Sequence, residues 1–223
     1  KAAEKEVIYH IKKAYPDHAI LGEESGISGA EDAEYLWVID PLDGTTNFIR
    51  GIPHYCVSIA VLKKGVLEHA VVLDPIRQEE FPASRGQGAQ LNGRRIRVTK
   101  NTTLEGTLLA TGIPYKNRAE AHIPAYMQSL EAVAQQTAGI RRAGSAALDL
   151  AYLAAGRVDG FWEIGLNKWD IAAGMLLIKE AGGIISDFQG GNTSWETGNI
   201  VASNPKCLKH LLQTLRPHLG QIK

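Results

Sequence analysis

Trp37-Val38-Ile39-Asp40-Pro41-Leu42-Asp43-Gly44-Thr45-Thr46-Asn47-Phe48 drives an apolar strand straight into two carboxylates, a glycine and two hydroxyls. Asp40 and Asp43 are hard oxygen ligands, and the backbone between them lets the Leu42 carbonyl turn toward the same ion, a donor set that suits Mg²⁺ far better than zinc. Gly44-Thr45-Thr46 can open a helix, whose first N–H groups and positive dipole end attract an oxyanion. Two aspartates this close are ordinarily a turn or a cap. The complete string is more specific and predicts a metal-and-phosphate site.

Two further acidic segments flank it. Leu21-Gly22-Glu23-Glu24-Ser25-Gly26 follows the apolar Ala19-Ile20-Leu21, which puts Glu23 at or just past a strand end. Trp169-Asp170-Ile171-Ala172-Ala173-Gly174 opens an amphipathic helix that continues through Leu177 and Ile178 to Glu180-Ala181-Gly182-Gly183. Taken singly, Glu23 and Glu24 read as solvated loop charges and Asp170 as a helix N-cap. Taken with Asp40 and Asp43, the three segments predict one convergent site.

These residues resemble the Mg²⁺-dependent, lithium-sensitive inositol monophosphatases. The family's G-E-E segment is similar to Gly22-Glu23-Glu24, its W-V-I-D-P-x-D-G-T-x-N-F signature to Trp37 through Phe48, and its W-D-x-A-A-G…E-A-G-G signature to Trp169 through Gly183. The resemblance runs from near Lys1 to the C-terminal helix. It is strongest toward bacterial members of the SuhB type, through Arg141-Arg142-Ala143-Gly144-Ser145-Ala146-Ala147-Leu148-Asp149-Leu150 and Gly156 through Glu163. It implies an α/β fold with an α+β first half, the layered α-β-α-β-α sandwich of the inositol monophosphatase and fructose-1,6-bisphosphatase type, and a homodimer.

Length and composition agree. A chain of 223 residues can bury one large domain or two fused halves. With no repeat, linker or low-complexity segment in view, residues 1–223 are expected to form a single compact domain, with a metal-site half over about 1–105 and an α/β half over about 106–223. Lys and Arg number 24 and Asp and Glu 24, so nothing advertises a nucleic-acid or membrane surface. The most basic stretch, Arg94-Arg95-Ile96-Arg97 to Lys100, reads as a solvated strand edge. Two cysteines, Cys56 and Cys207, are too few for a disulfide framework and predict a reducing, cytoplasmic setting. No apolar run is long enough for a membrane span and no secretory signal is visible.

The periodicity predicts a helix over 2–15 that stops before Pro16, then strands over 56–62, 66–73 and 79–84 in an antiparallel meander, with Pro82 marking an edge or bulge. Gly86-Gln87-Gly88-Ala89 lacks a complete dinucleotide-loop pattern and reads as a turn. Farther on, strands near 107–111, 139–142, 158–163, 183–186 and 199–203 interleave with helices near 119–136, 146–155, 169–181 and 205–215. On the strand ending in Glu163, alternation predicts Trp162 in the core and Glu163 on the opposite face.

A phosphate monoester repels nucleophiles, so its hydrolysis calls for cations to neutralise it and acidify a water. The resemblance implies one ion on Glu23, Asp40 and the Leu42 carbonyl, and a second on Asp40, Asp43 and Asp170. It implies that Glu23 and Thr45 position and deprotonate the water while the Gly44 and Thr45 N–H groups hold phosphate oxygens. No serine, cysteine or histidine nucleophile is required. Substrate contacts are expected from Arg141, from backbone donors at Gly144, Ser145 and Ala146, and from Glu163 accepting polyol hydroxyls, with Asp43 and Asp170 alongside.

Family members carry a T-x-x-D loop ahead of this region that helps bind a third ion. The sequence begins at Lys1, past where that loop would end, so part of the family domain is expected to be missing, third-ion ligands are assigned to no residue here, and the polypeptide alone is expected to be an impaired catalyst. Three functions are left open. The first is hydrolysis of inositol monophosphate. The second is action on another phosphate ester, such as fructose 1,6-bisphosphate or adenosine 3',5'-bisphosphate. The third, implied by the SuhB-type resemblance, is a non-catalytic role in ribosomal RNA antitermination through protein contacts with RNA polymerase or antitermination factors.

Overall fold

The computed structural model describes residues 2–30, 32–114 and 120–222. In chain order the elements are α1 (Ala2–Ala14), β1 (Ala19–Gly22), β2 (Gly26–Ser28), β3 (Tyr35–Asp43), α2 (Thr45–Ile49), β4 (Cys56–Lys63), β5 (Val66–Asp74), β6 (Glu79–Ser84), β7 (Gly88–Leu91), β8 (Arg94–Arg95) and β9 (Leu108–Thr111). A short 3₁₀ turn (Glu120–His122) then leads into α3 (Ile123–Ala134), β10 (Gly139–Arg141), α4 (Ala146–Ala154), β11 (Gly160–Glu163), α5 (Lys168–Glu180), β12 (Ile184–Ser186), α6 (Ser194–Thr197), β13 (Ile200–Ser203) and α7 (Pro205–Leu219).

Two mixed sheets organise the chain. The larger has the order β2-β1-β3-β4-β5-β6-β7-β8 and the smaller β10-β9-β11-β13-β12. Ile11 of α1 packs with Ile20 and Ile39 on the outer face of the larger sheet. On its inner face, Ala60, Val72 and Phe81 meet α4 and α5, which in turn bury Phe161 and Ala202 of the smaller sheet. Beyond that sheet, Tyr126 and Val133 of α3 and Leu211 and Leu215 of α7 pack on Leu109, Trp162 and Val201. The five layers are therefore α-β-α-β-α, as the resemblance implied.

The central position of α5 changes one expectation. Every residue from Ile171 to Ile178 is buried, so this helix is apolar all round instead of amphipathic, as a helix sandwiched between two sheets must be. Pro82 also differs. Its strand β6 lies between β5 and β7, but β7 pairs only with Ala83 and Ser84, so Pro82 sits one residue beyond the paired stretch, where its missing N–H is tolerated. The helix expected over 119–136 spans only Ile123–Ala134 after its 3₁₀ entry, and residue 119 lies outside the described residues. The meander and the exposed basic edge β8 match the sequence reading.

Candidate active site

A regular strand would send residues three apart to opposite faces. In β3 the pairing with β4 runs in register up to Asp40↔Ser58 and then shifts before Asp43↔Cys56. Pro41, which has no N–H to offer the ladder, falls in that break. The irregularity brings Asp40 and Asp43 to the same cleft, and the N-terminus of α5 delivers Asp170 to it. One carboxylate oxygen from each of the three lies within 4.8 Å of the others.

Each carboxylate is held from outside the cluster. Asp40 is 2% exposed and its Oδ1 accepts from the Leu42 N–H at 2.9 Å. Asp43 Oδ2 accepts from Ser145 Oγ and from the Ala147 N–H, both at 2.7 Å. Asp170 stands at the third position of α5, one turn from where a simple N-cap would be, and its Oδ2 accepts from the Asn167 N–H at 2.7 Å and the Asn167 amide at 3.1 Å. Asn47, buried in the turn of α2, donates to the His54 and Ala143 carbonyls and so ties the β3 loop to the segment that opens α4.

Gly44 makes the turn between Asp43 and α2 at φ 93°, and a Cβ there would run into the His54 carbonyl and Tyr55. Thr45 Oγ1 donates to the Leu42 carbonyl at 2.9 Å. Glu23 enters from the end of β1; its own N–H bonds the Ile39 carbonyl, and the following Glu24 N–H is fastened to Glu4 of α1 at 2.9 Å. Glu23 lines the same cleft but is exposed at its mouth and outside the group of three close carboxylates.

The electrostatics are those of uncompensated negative charge. Burial first, then Asp43 and Glu23, push the Asp40 carboxyl up to about 9. Burial pushes Asp43 up to about 7, although the Ser145 hydrogen bond works the other way. A divalent cation would reverse both effects. The donor set is carboxylates and a carbonyl with no imidazole or thiolate, so the residues fit Mg²⁺.

The cleft, of about 420 Å³, is lined as well by Thr111, Gly112, Arg142, Gly144, Asp149 and Glu163. Glu163 ends β11 with its carboxyl buried and raised well above the usual range, by burial first and then by Asp149. It occupies the space a side chain at Gly112 would need. Trp162, on the other face of the strand, is wholly buried in the outer core, as alternation predicted.

Several expectations need correction. Arg141 is exposed, its guanidinium donates to the Ile140 carbonyl, and it does not line the cleft; its neighbour Arg142, just past the end of β10, does. Asp43 Oδ2 is already taken by Ser145 and Ala147, which leaves Oδ1 for a metal ion or a substrate hydroxyl. Ser145 and Ala146 line the cleft as expected, but the Ser145 hydroxyl is spent on Asp43. Asp149 lines the cleft as well, and its spacing from Ser145 and Ala146 on the expected helix puts all three on one face.

Three carboxylates converging between the two sheets of this five-layer stack define the fold of the inositol monophosphatases and fructose-1,6-bisphosphatases. The pattern of the inositol monophosphatase family spans residues 1–220, and the chain belongs to that family. Nus factor SuhB of Pseudomonas aeruginosa is 60% identical over 221 residues, covering 98% of this chain and 82% of that protein. Nus factor SuhB of Escherichia coli is 56% identical over 220 residues, covering 99% and 82%. Among solved structures, the extragenic suppressor protein suhB from Bartonella henselae superposes with a TM-score of 0.92 at 44% identity, covering 96% of this chain and 82% of that one. An inositol monophosphatase from Anabaena (Nostoc) gives 0.92 at 43% identity, covering 97% and 85%.

Proposed function

We propose that this chain hydrolyses inositol monophosphate to inositol and phosphate, with Mg²⁺ held by Glu23, Asp40, the Leu42 carbonyl, Asp43 and Asp170. The observation that carries the reading is the convergence of Asp40, Asp43 and Asp170 from two distant segments, within 4.8 Å of one another, beside Gly44 and Thr45. When bound, Mg²⁺ supplies neutralisation of the phosphate charge and acidification of a water. The Thr45 hydroxyl donates a hydrogen bond to the Leu42 carbonyl, which leaves the hydroxyl's lone pairs to orient that water. Glu23, which lines the cleft, takes the water's proton in this reading. The Gly44 and Thr45 N–H groups hold the phosphate oxygens, and Glu163 accepts from a polyol hydroxyl.

The test is a phosphate-release assay of inositol 1-phosphate, fructose 1,6-bisphosphate and adenosine 3',5'-bisphosphate side by side with Mg²⁺. Inositol 1-phosphate is expected to give the highest kcat/KM; preference for either bisphosphate overturns the substrate assignment.

A second reading rests on the relatives named Nus factor SuhB, at 56% and 60% identity. It is a role in antitermination through protein contacts with RNA polymerase or its factors, in the cytoplasm and as a homodimer. No helix among the described residues is long and apolar enough to cross a membrane, and both cysteines are free and buried, which fits a reducing setting. Co-purification of RNA polymerase components with an Asp43→Asn variant would support this role apart from catalysis; their absence with both variant and wild type would remove it.

A further inference from the structure

Asp149 is in the first turn of α4, and its side chain is only 5% exposed. Such a carboxylate is expected to be paired or hydrogen-bonded. Among the described residues its carboxylate accepts no hydrogen bond from the protein; the nearest basic group, His54 Nε2, stands 3.9 Å away, beyond hydrogen-bond reach. That ring nitrogen is itself buried without a partner, and burial holds the imidazole below its usual pKa, so it brings no charge to the pair. Asp149 lines the cleft, at helical spacing from Ser145 and Ala146, which line it too. Across from it Glu163 is likewise buried and lines the same wall, with Arg142 beside both.

We propose that Asp149 is a specificity-determining residue that, together with Glu163, accepts hydrogen bonds from two hydroxyls of a cyclic polyol phosphate in the cleft beside Asp43 and Asp170. A single buried acceptor would suit any alcohol ester. Two, from different elements on one wall, select a ring that carries several hydroxyls and disfavour an apolar ring that leaves both carboxyls without a donor. The alternative is structural: an acid in the first turn of a helix is stabilised by the dipole whether or not it touches ligand. That role would not discriminate between substrates.

The inference rests on the phosphatase reading, and the experiment separates the two. Inositol 1-phosphate and cyclohexyl phosphate, which keeps the ring and lacks the hydroxyls, are compared in wild type and in Asp149→Asn and Asp149→Ala. The ratio of their kcat/KM values is expected to fall roughly ten- to a hundredfold in Asp149→Ala and by less in Asp149→Asn, which keeps one acceptor. Calorimetric binding of inositol 1-phosphate with Ca²⁺ in place of Mg²⁺ is expected to weaken in the same order. Tight binding without phosphate release from wild type sinks the phosphatase reading alone. An unchanged substrate ratio, or equal affinity in wild type and in a folded Asp149→Asn protein, sinks this proposal.

Discussion

Asp43 is fixed by Ser145 and Ala147, two residues a hundred positions along the chain, so one of its oxygens is aimed by the protein itself. An asparagine at 43 can set its one oxygen where Oδ2 stands and keep an acceptor for both bonds, but it withdraws a charge from a crowded cluster. Asp43→Asn should therefore reduce phosphate release below detection, while its unfolding temperature without metal equals or exceeds that of wild type because repulsion with Asp40 and Asp170 is relieved. A melting temperature several degrees lower would mean that Asp43 is structural. At Glu163 the loss of a hydroxyl contact is worth about 1–3 kcal/mol, so Glu163→Ala should weaken binding of inositol 1-phosphate by roughly one to two orders of magnitude and spare an aryl phosphate. Gly112→Ala should show the same selective defect, because its methyl takes the place of the Glu163 carboxylate. Steady-state kinetics with the two substrates check both variants. The metal ligands were legible because residue type and spacing state their chemistry. Arg141 and Arg142 were not, since which of two adjacent arginines faces a cleft depends on how the chain leaves β10.

Elements were legible where periodicity and punctuation agreed, as in β4, β5 and α4, and obscure where tertiary burial overrode them. The helix expected to stop near residue 215 runs to Leu219 through Pro217. Pro217 and Gln213, whose carbonyl loses its donor, are both exposed to water, while Leu215 and Leu219 stay buried, so packing outweighs the broken bond. At the crossing of α4 and α5, Gly174 lies against Leu150 so closely that an added Cβ would press into its side chain. Gly174→Ala should destabilise the protein by about 1–3 kcal/mol, measured by urea unfolding. The turn after β12 depends on Asp187, which accepts from the N–H groups of Gln189 and Gly191 at 2.8 Å and from Thr193 Oγ1 at 2.7 Å. Burial alone would raise its pKa, but these bonds outweigh it and hold the carboxyl below the ordinary 3.8. A carboxyl depressed in the folded state stabilises above its unfolded pKa and loses that contribution as pH falls through the folded one. Asp187→Asn should thus be less stable than wild type at pH 7, with the gap narrowing below pH 3.8; a gap independent of pH would assign the loss to packing.

The molecule as a whole brings its carboxylates together through its layers. β1 and β3 of the larger sheet bring Glu23, Asp40 and Asp43, α5 of the central layer brings Asp170, and β11 of the smaller sheet brings Glu163. The sequence motifs announced the convergence, but the resemblance and not periodicity supplied the layering, because no local pattern says which sheet covers which helix. That Asp149 and Glu163 share one wall is not legible in the sequence for the same reason: they meet only once α4 and β11 are packed. Since the cation would bind the folded cluster alone, Mg²⁺ should raise the unfolding temperature of wild type and leave Asp43→Asn almost unmoved. The most direct measurement is phosphate release from inositol 1-phosphate with Mg²⁺, in chelator, and after Mg²⁺ is restored. The account predicts turnover that vanishes in chelator, returns with Mg²⁺ and is inhibited by lithium. Undiminished turnover in chelator, or turnover by Asp43→Asn within a few-fold of wild type, would contradict it.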